Sequence, residues 1–345
     1  MGSMRVAVYY SNTDIRLKDS LKPAIGPDEA LIRIEASGIC GTDVMEWYRK
    51  DKVPLVLGHE VAGTVARVGR KVKDFKAGDR VVATHHVPCG RCPWCRNGHP
   101  TVCETLRKTH FDPGGFSEFV RLSALHLKSG TFRIPAGLSF EEGTFVEPLG
   151  CVVRGQRLAG MKRGKSVLVV GSGLSGLLHI KLAHHLKARI IMATDVDRYR
   201  LGMAEKFGAV TGIDAGEDVP SLVRKINEGR LADVVILCAG SQAALKQGLI
   251  SVERGGTVLI FTAAPQDSFL PVTTNEIFWR REVTILSSYA AAPNDLKEAL
   301  RLISQRKILV KDMITHRLPL KEIRKGFELV VRPQNSMKVI IEPHR

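Results

Sequence analysis

Residues 89–103 read CGRCPWCRNGHPTVC and hold four of the chain's seven cysteines, Cys89, Cys92, Cys95 and Cys103. Four thiols this close can pair as disulfides, hold a metal or carry out chemistry. The N-terminal residues lack the charged-then-apolar pattern of an export signal, so the expected compartment is the cytoplasm. Disulfides are disfavoured in a reducing compartment, and the cluster reads as a metal site.

A second set of metal-ligating types is dispersed: Cys40 in ASGICGTD, His59 and Glu60 in LGHEVAG, and Glu147 in FVEPLGC. A catalytic zinc takes about three protein ligands and leaves a position open for water or substrate. Cys, His and Glu drawn from separate segments meet that need. Each also has an ordinary reading. Cys40 fits a small buried position, His59 a hydrogen-bonded core histidine, and Glu147, next to Pro148, a helix cap. Spacing alone leaves these alternatives open.

A third motif, VLVVGSGLSG, ends an apolar run and starts a helical pattern, with Gly171, Gly173 and Gly176 in G-x-G-x-x-G spacing. The first glycine permits a tight turn, the second lets a pyrophosphate approach the backbone, and the third lets helix and strand pack closely. Leu174 and Ser175 open the helix whose N-terminus faces the phosphate charge. Asp195 follows nineteen residues after Gly176, at the end of the next apolar run. A carboxylate there accepts from the ribose and repels a 2′-phosphate, which favours NAD over NADP. Arg198 and Arg200 lie close enough to soften that preference.

These residues need elements to position them. Ala30, Ile32, Ile34 and Ala36 alternate with Leu31, Arg33 and Glu35, the period of a strand. Segments 61–68 and 80–84 are Val-rich, with Gly78-Asp79 as a turn, so the first half reads as β-rich. His85 and His86 are assigned to a strand beside the cysteine loop, in a structural role. From 166 to 261 the pattern changes. SVLVVG (166–171), RIIMATD (189–195), DVVILCAG (233–240) and GTVLIF (256–261) alternate with helical stretches near 174–187 and 198–207. Such alternation predicts a parallel sheet covered by helices, closed by EVTILSSY (282–289). Cys238 is expected to be buried in it. After about residue 291 come a helix near 294–306 and a terminal strand, MKVIIEP, which return to the first domain. The expected fold class is α/β: a doubly wound parallel-sheet domain at 152–290 and a β-rich domain made of 1–151 and 291–345.

With 345 residues, 44% of them hydrophobic, the chain is long enough for two well-buried cores. No run of apolar residues reaches membrane-spanning length, so no membrane partner is expected. The formal charge of +16 is spread along the chain rather than gathered into a stripe. RKVKDFK at 70–76 is interrupted by Asp74, and no nucleic-acid partner is expected.

GICGTD, GHEVAG, GDRV, the C-x2-C-x2-C-x7-C loop, EPLG and GSGLSG occur in one order along the whole chain. In that order they resemble the zinc-dependent medium-chain dehydrogenases/reductases, the alcohol dehydrogenase family, and most closely its threonine and sorbitol (polyol) branch. The resemblance implies a GroES-like catalytic domain, a Rossmann NAD-binding domain and a homodimer or homotetramer. It implies two zinc ions. A structural zinc would lie on Cys89, Cys92, Cys95 and Cys103, and a catalytic zinc on Cys40, His59 and Glu147. Glu60 would be a further ligand or an outer carboxylate, and Cys151 is a rival to Glu147. Thr42 corresponds to the hydroxyl that passes on the alcohol proton. Met45 departs from the family pattern, which commonly has a histidine at this point of the proton path.

The implied activity is oxidation of a small secondary alcohol, a polyol, cyclitol or β-hydroxy amino acid, to its ketone. The implied oxidant is NAD, and the zinc would act as Lewis acid. Trp47, groups near Glu147 and the 262–290 region are candidates to line the substrate pocket. Two alternatives stand beside this reading: a zinc-free quinone or enone reductase of the same superfamily, which should lack the ligand set, and a non-catalytic NAD-binding protein.

Overall fold

The computed structural model describes residues 2–332 and 335–345. The chain divides into two compact units, residues 1–150 with 290–345, and residues 151–289. Among the described residues no helix is long and apolar enough to cross a membrane.

The second unit is a six-stranded sheet in which every neighbouring pair is parallel. Its order is Thr211–Asp214, Ile190–Asp195, Ser166–Val170, Ala232–Leu237, Val252–Ile260, Thr284–Ser287. The central strand Ser166–Val170 is buried at all of its positions, which is why SVLVV shows no polar alternation. The chain winds outward from this strand in one direction as far as Thr211–Asp214, then crosses back to Ala232–Leu237 and winds the other way. That reversal makes a topological switch point at the carboxyl end of Ser166–Val170, where open α/β sheets bind ligands. The helix Leu174–His185 starts there.

The sequence reading did not identify the edge strand Thr211–Asp214 or the helix Val219–Ile226 that follows it. Only Ile213 of that strand is buried, so its apolar signal is a single residue. The helix did carry a readable start, since Asp218 accepts from Ser221 N–H as its N-cap.

The first unit is built on a seven-stranded sheet. Its main path runs Ile314–Pro319, Lys338–Glu342, Ala30–Gly38, Glu60–Val68, Arg80–Ala83, Thr131–Arg133, and Phe119–Leu122 also pairs with Ala30–Gly38. The alternation from Ala30 to Ala36 matches the burial except at Leu31, which is buried too, and Ile32 and Ile34 are fully enclosed. A three-stranded sheet of Ile15–Leu21, Ser3–Tyr9 and Leu55–Val56 accompanies it. Pairing brings three distant positions together. Gly38 is opposite Glu60 on one side and Ile340 on the other, so the start of the strand Lys338–Glu342 lies beside both. His85 and His86 depart from expectation: the strand ends at Ala83, and both histidines lie in the loop beyond it.

Candidate active site

Cys40, His59 and Glu60 converge in the first unit, each offering a ligand atom within 4.8 Å of the others. Cys40 lies two residues past the strand Ala30–Gly38. His59 is turned into place by Gly58, whose φ of +92° and approach to Phe116 N (2.8 Å from a hypothetical Cβ) admit no side chain. Glu60 begins the strand Glu60–Val68. Its Oε2 is ion-paired with the ammonium of Lys338, both side chains being wholly inaccessible, while Oε1 is buried with no hydrogen-bond partner. A Cβ on Gly38 would collide with both members of that pair, so the pairing register and the glycine are coupled.

Asp43 was not singled out from the sequence, although it lies in GICGTD. It is fully buried. Its Oδ2 accepts from Cys40 N–H at 3.0 Å, and its Oδ1 stands 3.4 Å from His59 Nδ1. Burial alone would lower the His59 pKa. The Asp43 carboxylate and the Cys40 thiol outweigh it and hold the imidazole well above its usual range. Burial pushes the other way on Asp43, and His59, the Cys40 amide and Arg49 hold its carboxyl below the ordinary value. The surroundings of His59 therefore stabilise a positive charge. A thiol, an imidazole and a carboxylate with an orphaned oxygen form a donor set suited to a divalent zinc-like cation. With Asp43 Oδ1 facing Nδ1 at ion-pair distance, Nε2 would be the ligating nitrogen, the carboxylate–histidine–metal arrangement.

Thr42 presents its hydroxyl 3.3 Å from Cys40 Sγ. Glu147 lies in the first turn of the helix Val146–Leu158, with Cys151 one turn further on, and neither joins the 4.8 Å cluster. Glu147 instead lines a small cavity with Thr84, Thr144, Val146 and Leu296.

Cys89, Cys92, Cys95 and Cys103 also gather within 4.8 Å of one another. Cys92 caps the short helix Pro93–Arg96, which carries Cys95, and the turn Pro100–Val102 delivers Cys103. The sulfurs of Cys92 and Cys95 are 3.5 Å apart and those of Cys89 and Cys103 3.6 Å, well beyond the ~2.05 Å of a disulfide. Backbone amides of Cys92 and Cys89 point at the sulfurs of Cys89 and Cys103, at 3.4 Å and 3.5 Å. The thiols hold protons unequally. Burial and the Cys92 thiol push Cys95 up to about 12. For Cys103 burial is outweighed by the amides of Cys89 and Leu106, which bring it to about 6. Four sulfurs gathered this closely form a donor set suited to a tetrahedral, thiophilic cation such as zinc.

In the second unit, Gly171 follows the central strand at φ +94°, and a Cβ there would meet Ala239 at 2.8 Å. Open space lies over Gly173, where a Cβ would touch nothing within 4 Å. The helix Leu174–His185 has no side-chain cap, so the amides of its first turn, including those of Ser175 and Gly176, remain available to a phosphate. Asp195 lies beside this loop. It accepts from Ser172 N–H at 2.7 Å and Asp197 N–H at 3.0 Å, and Arg200 approaches it at 3.8 Å. These features fit a dinucleotide cradle. Cys238, expected to be buried, is half-buried just past the end of the neighbouring strand Ala232–Leu237, and desolvation still raises its thiol pKa.

Residues 26–135 match the alcohol dehydrogenase GroES-like domain family, and residues 176–305 match the zinc-binding dehydrogenase family. Sorbitol dehydrogenase of Gallus gallus is 30% identical over 99% of this chain and 97% of that protein. L-threonine 3-dehydrogenase of Caldanaerobacter subterraneus is 34% identical over 93% of each. Among solved structures, a Sinorhizobium meliloti protein bound to NADP superposes with a TM-score of 0.89 at 30% identity, covering 99% of this chain and 100% of that one. Galactitol-1-phosphate dehydrogenase from Escherichia coli gives 0.85 at 26% identity, with coverage of 99% and 100%.

Proposed function

The chain belongs to the zinc-dependent medium-chain alcohol/polyol dehydrogenases, and on that premise we propose that it interconverts a secondary alcohol and its ketone at the Cys40–His59–Glu60 cluster. The observation that carries this reading is the convergence of those three donors, with Asp43 oriented on His59. When bound, zinc supplies Lewis acidity and the dinucleotide supplies the redox couple. The residues of the chain do the rest. Asp43 fixes the ring of His59. Lys338 engages one oxygen of Glu60 and leaves the other for the cation. Thr42, next to Cys40, is placed to take the alcohol proton. The cluster that forms favours Glu60 as the carboxylate ligand, in place of the Glu147 that the family resemblance implies.

The dinucleotide is assigned to Gly171, Gly173, Leu174, Ser175, Gly176, Asp195 and Arg200, with NAD preferred. Asp195 presents negative charge beside the loop, and a 2′-phosphate would meet it with like charge, which Arg200 offsets only in part. The ratio of kcat/KM for NAD to that for NADP should exceed one in the native enzyme. In Asp195→Ala it should fall by about tenfold or more, the equivalent of ~1.4 kcal/mol. A native preference for NADP would mean that Arg200 governs the site.

The four-cysteine loop is assigned a second, structural zinc, because a closed thiolate shell leaves no position for substrate. Cys92→Ser should reduce bound zinc by one per chain and weaken the loop's affinity on the order of 100-fold or more, with a lower melting temperature. Fully active native enzyme containing a single zinc would overturn the assignment.

The substrate is assigned to secondary alcohols with a second polar group near the reacting carbon, from the chemistry named for the sorbitol, threonine and galactitol-1-phosphate relatives. Metal analysis together with an NAD-linked screen of polyols, cyclitols, hydroxy amino acids and ethanol tests the whole reading. Ethanol turning over fastest would remove the substrate class. A homodimer or homotetramer is expected in light scattering.

A further inference from the structure

A third group of metal-ligating side chains lies outside both clusters assigned above. His85, His86 and His110 each offer a ring nitrogen within 4.8 Å of the other two. The rings of His85 and His86 lie with centroids 3.6 Å apart, tilted by 31°, and His110 faces them at 6.2 Å and 5.7 Å. We propose that this trio is a further transition-metal site, one that binds zinc, copper or nickel through three neutral imidazoles and leaves coordination positions to water.

The trio is held in place from several sides. His86 Nδ1 donates to the Thr109 carbonyl at 3.2 Å, since a carbonyl can only accept. In the neutral ring that bond puts the lone pair on Nε2, the outer support that metal-ligating histidines have. Thr109 in turn accepts from Val87 N–H at 2.9 Å and donates to the Leu106 carbonyl at 3.0 Å, which fastens the two loop segments together. His126 donates from Nε2 to the His85 carbonyl at 3.2 Å. The His85 side chain itself has a buried Nδ1 with no hydrogen-bond partner, a group that costs stability unless something pairs with it.

The sequence gives the arrangement its logic. His85 and His86 stand just before Cys89, and His110 follows Cys103 by seven residues. The four-cysteine loop therefore closes the base of the segment that brings His110 against the pair. The trio depends on that loop, while the loop does not depend on the trio. An ion here would also neighbour the first cluster, because the rings of His85 and His59 are 4.8 Å apart.

Three nitrogen donors without a thiolate or carboxylate bind these cations less tightly than the two sulfur-containing clusters. Arg49 and Lys52, whose charges act on His110, lower the affinity further. The trio is thus expected to fill last and to empty first under a chelator.

The test uses the zinc-loaded enzyme equilibrated with excess cobalt(II), desalted, and measured by elemental analysis and visible absorption. The expected result is one extra cobalt per chain with ligand-field bands but no thiolate-to-cobalt charge transfer. His110→Ala and His86→Gln should each lose that equivalent. His110 is exposed, so its replacement leaves the core intact. Cobalt that brings thiolate charge transfer has replaced zinc at a cysteine site and counts against the proposal. No extra cobalt, or an extra equivalent kept in both variants, overturns it. Zinc at the sulfur clusters is counted in the same sample, so failure of the trio is separable from failure of the two assigned sites.

Discussion

Cys40→Ser should give a folded protein with almost no turnover. Its sulfur is one of three donors gathered within 4.8 Å, and serine offers a hard hydroxyl in place of a soft sulfur ligand. Lewis acidity at the substrate oxygen stabilises the transition state by several kcal/mol, so losing it should lower kcat by about 10³-fold or more. The stability effect should be small. Cys40 is half-buried and lies beyond the end of its strand, and the backbone there is held by Asp43, which accepts from the Cys40 amide whichever side chain is present. Three measurements decide it: steady-state rates, zinc per chain, and thermal melts. A variant that retains native turnover would move the chemistry away from this cluster. A variant that unfolds would mean the cysteine is structural.

The parts legible in the sequence are those whose signal is local. Gly171, Gly173 and Gly176 mark one turn, and the four cysteines mark one loop, so their spacing carried the information. The period-two run from Ala30 and the unbroken SVLVV gave two different kinds of strand, and the burial explains both. Cys40, His59 and Glu60 were harder, since nothing in their spacing says that Gly38 pairs with Glu60. Only the ordered motifs of a resembling family linked them. The same resemblance gave Glu147 more weight than Glu60, and the cluster that forms contains Glu60.

What sequence reasoning missed depends on contacts made across the fold. Asp43 is three residues from Cys40, but its meaning comes from His59, which a turn and a strand pairing bring against it. Lys338 heads the terminal strand with no local sign that it is buried, and its partner Glu60 is 278 positions away. His110 lies in a region with no regular element to signal its direction. The edge strand Thr211–Asp214 buries one residue, too few to show a period.

Lys338→Met should be strongly destabilising, and more so without metal than with it. Methionine keeps the length of the stem, so packing against Phe145, whose ring lies 5.5 Å from the Lys338 ammonium, is largely preserved. The charge is what is lost. Glu60 then stands fully buried with Oε1 already lacking a hydrogen-bond partner and Oε2 deprived of its cation. Breaking a buried ion pair from one side typically costs about 3–5 kcal/mol, because the remaining charge is left uncompensated. A divalent cation held by Cys40, His59 and Glu60 supplies the missing positive charge, so zinc should recover part of the loss. Denaturation of native and variant enzyme, each with zinc and with a chelator, reads both effects. The expected order puts the chelated variant far below the other three samples, and adding Glu60→Gln to it should restore stability by removing the stranded charge. A chelated Lys338→Met protein as stable as the native one would show that the Glu60–Lys338 pair does not hold this corner of the site.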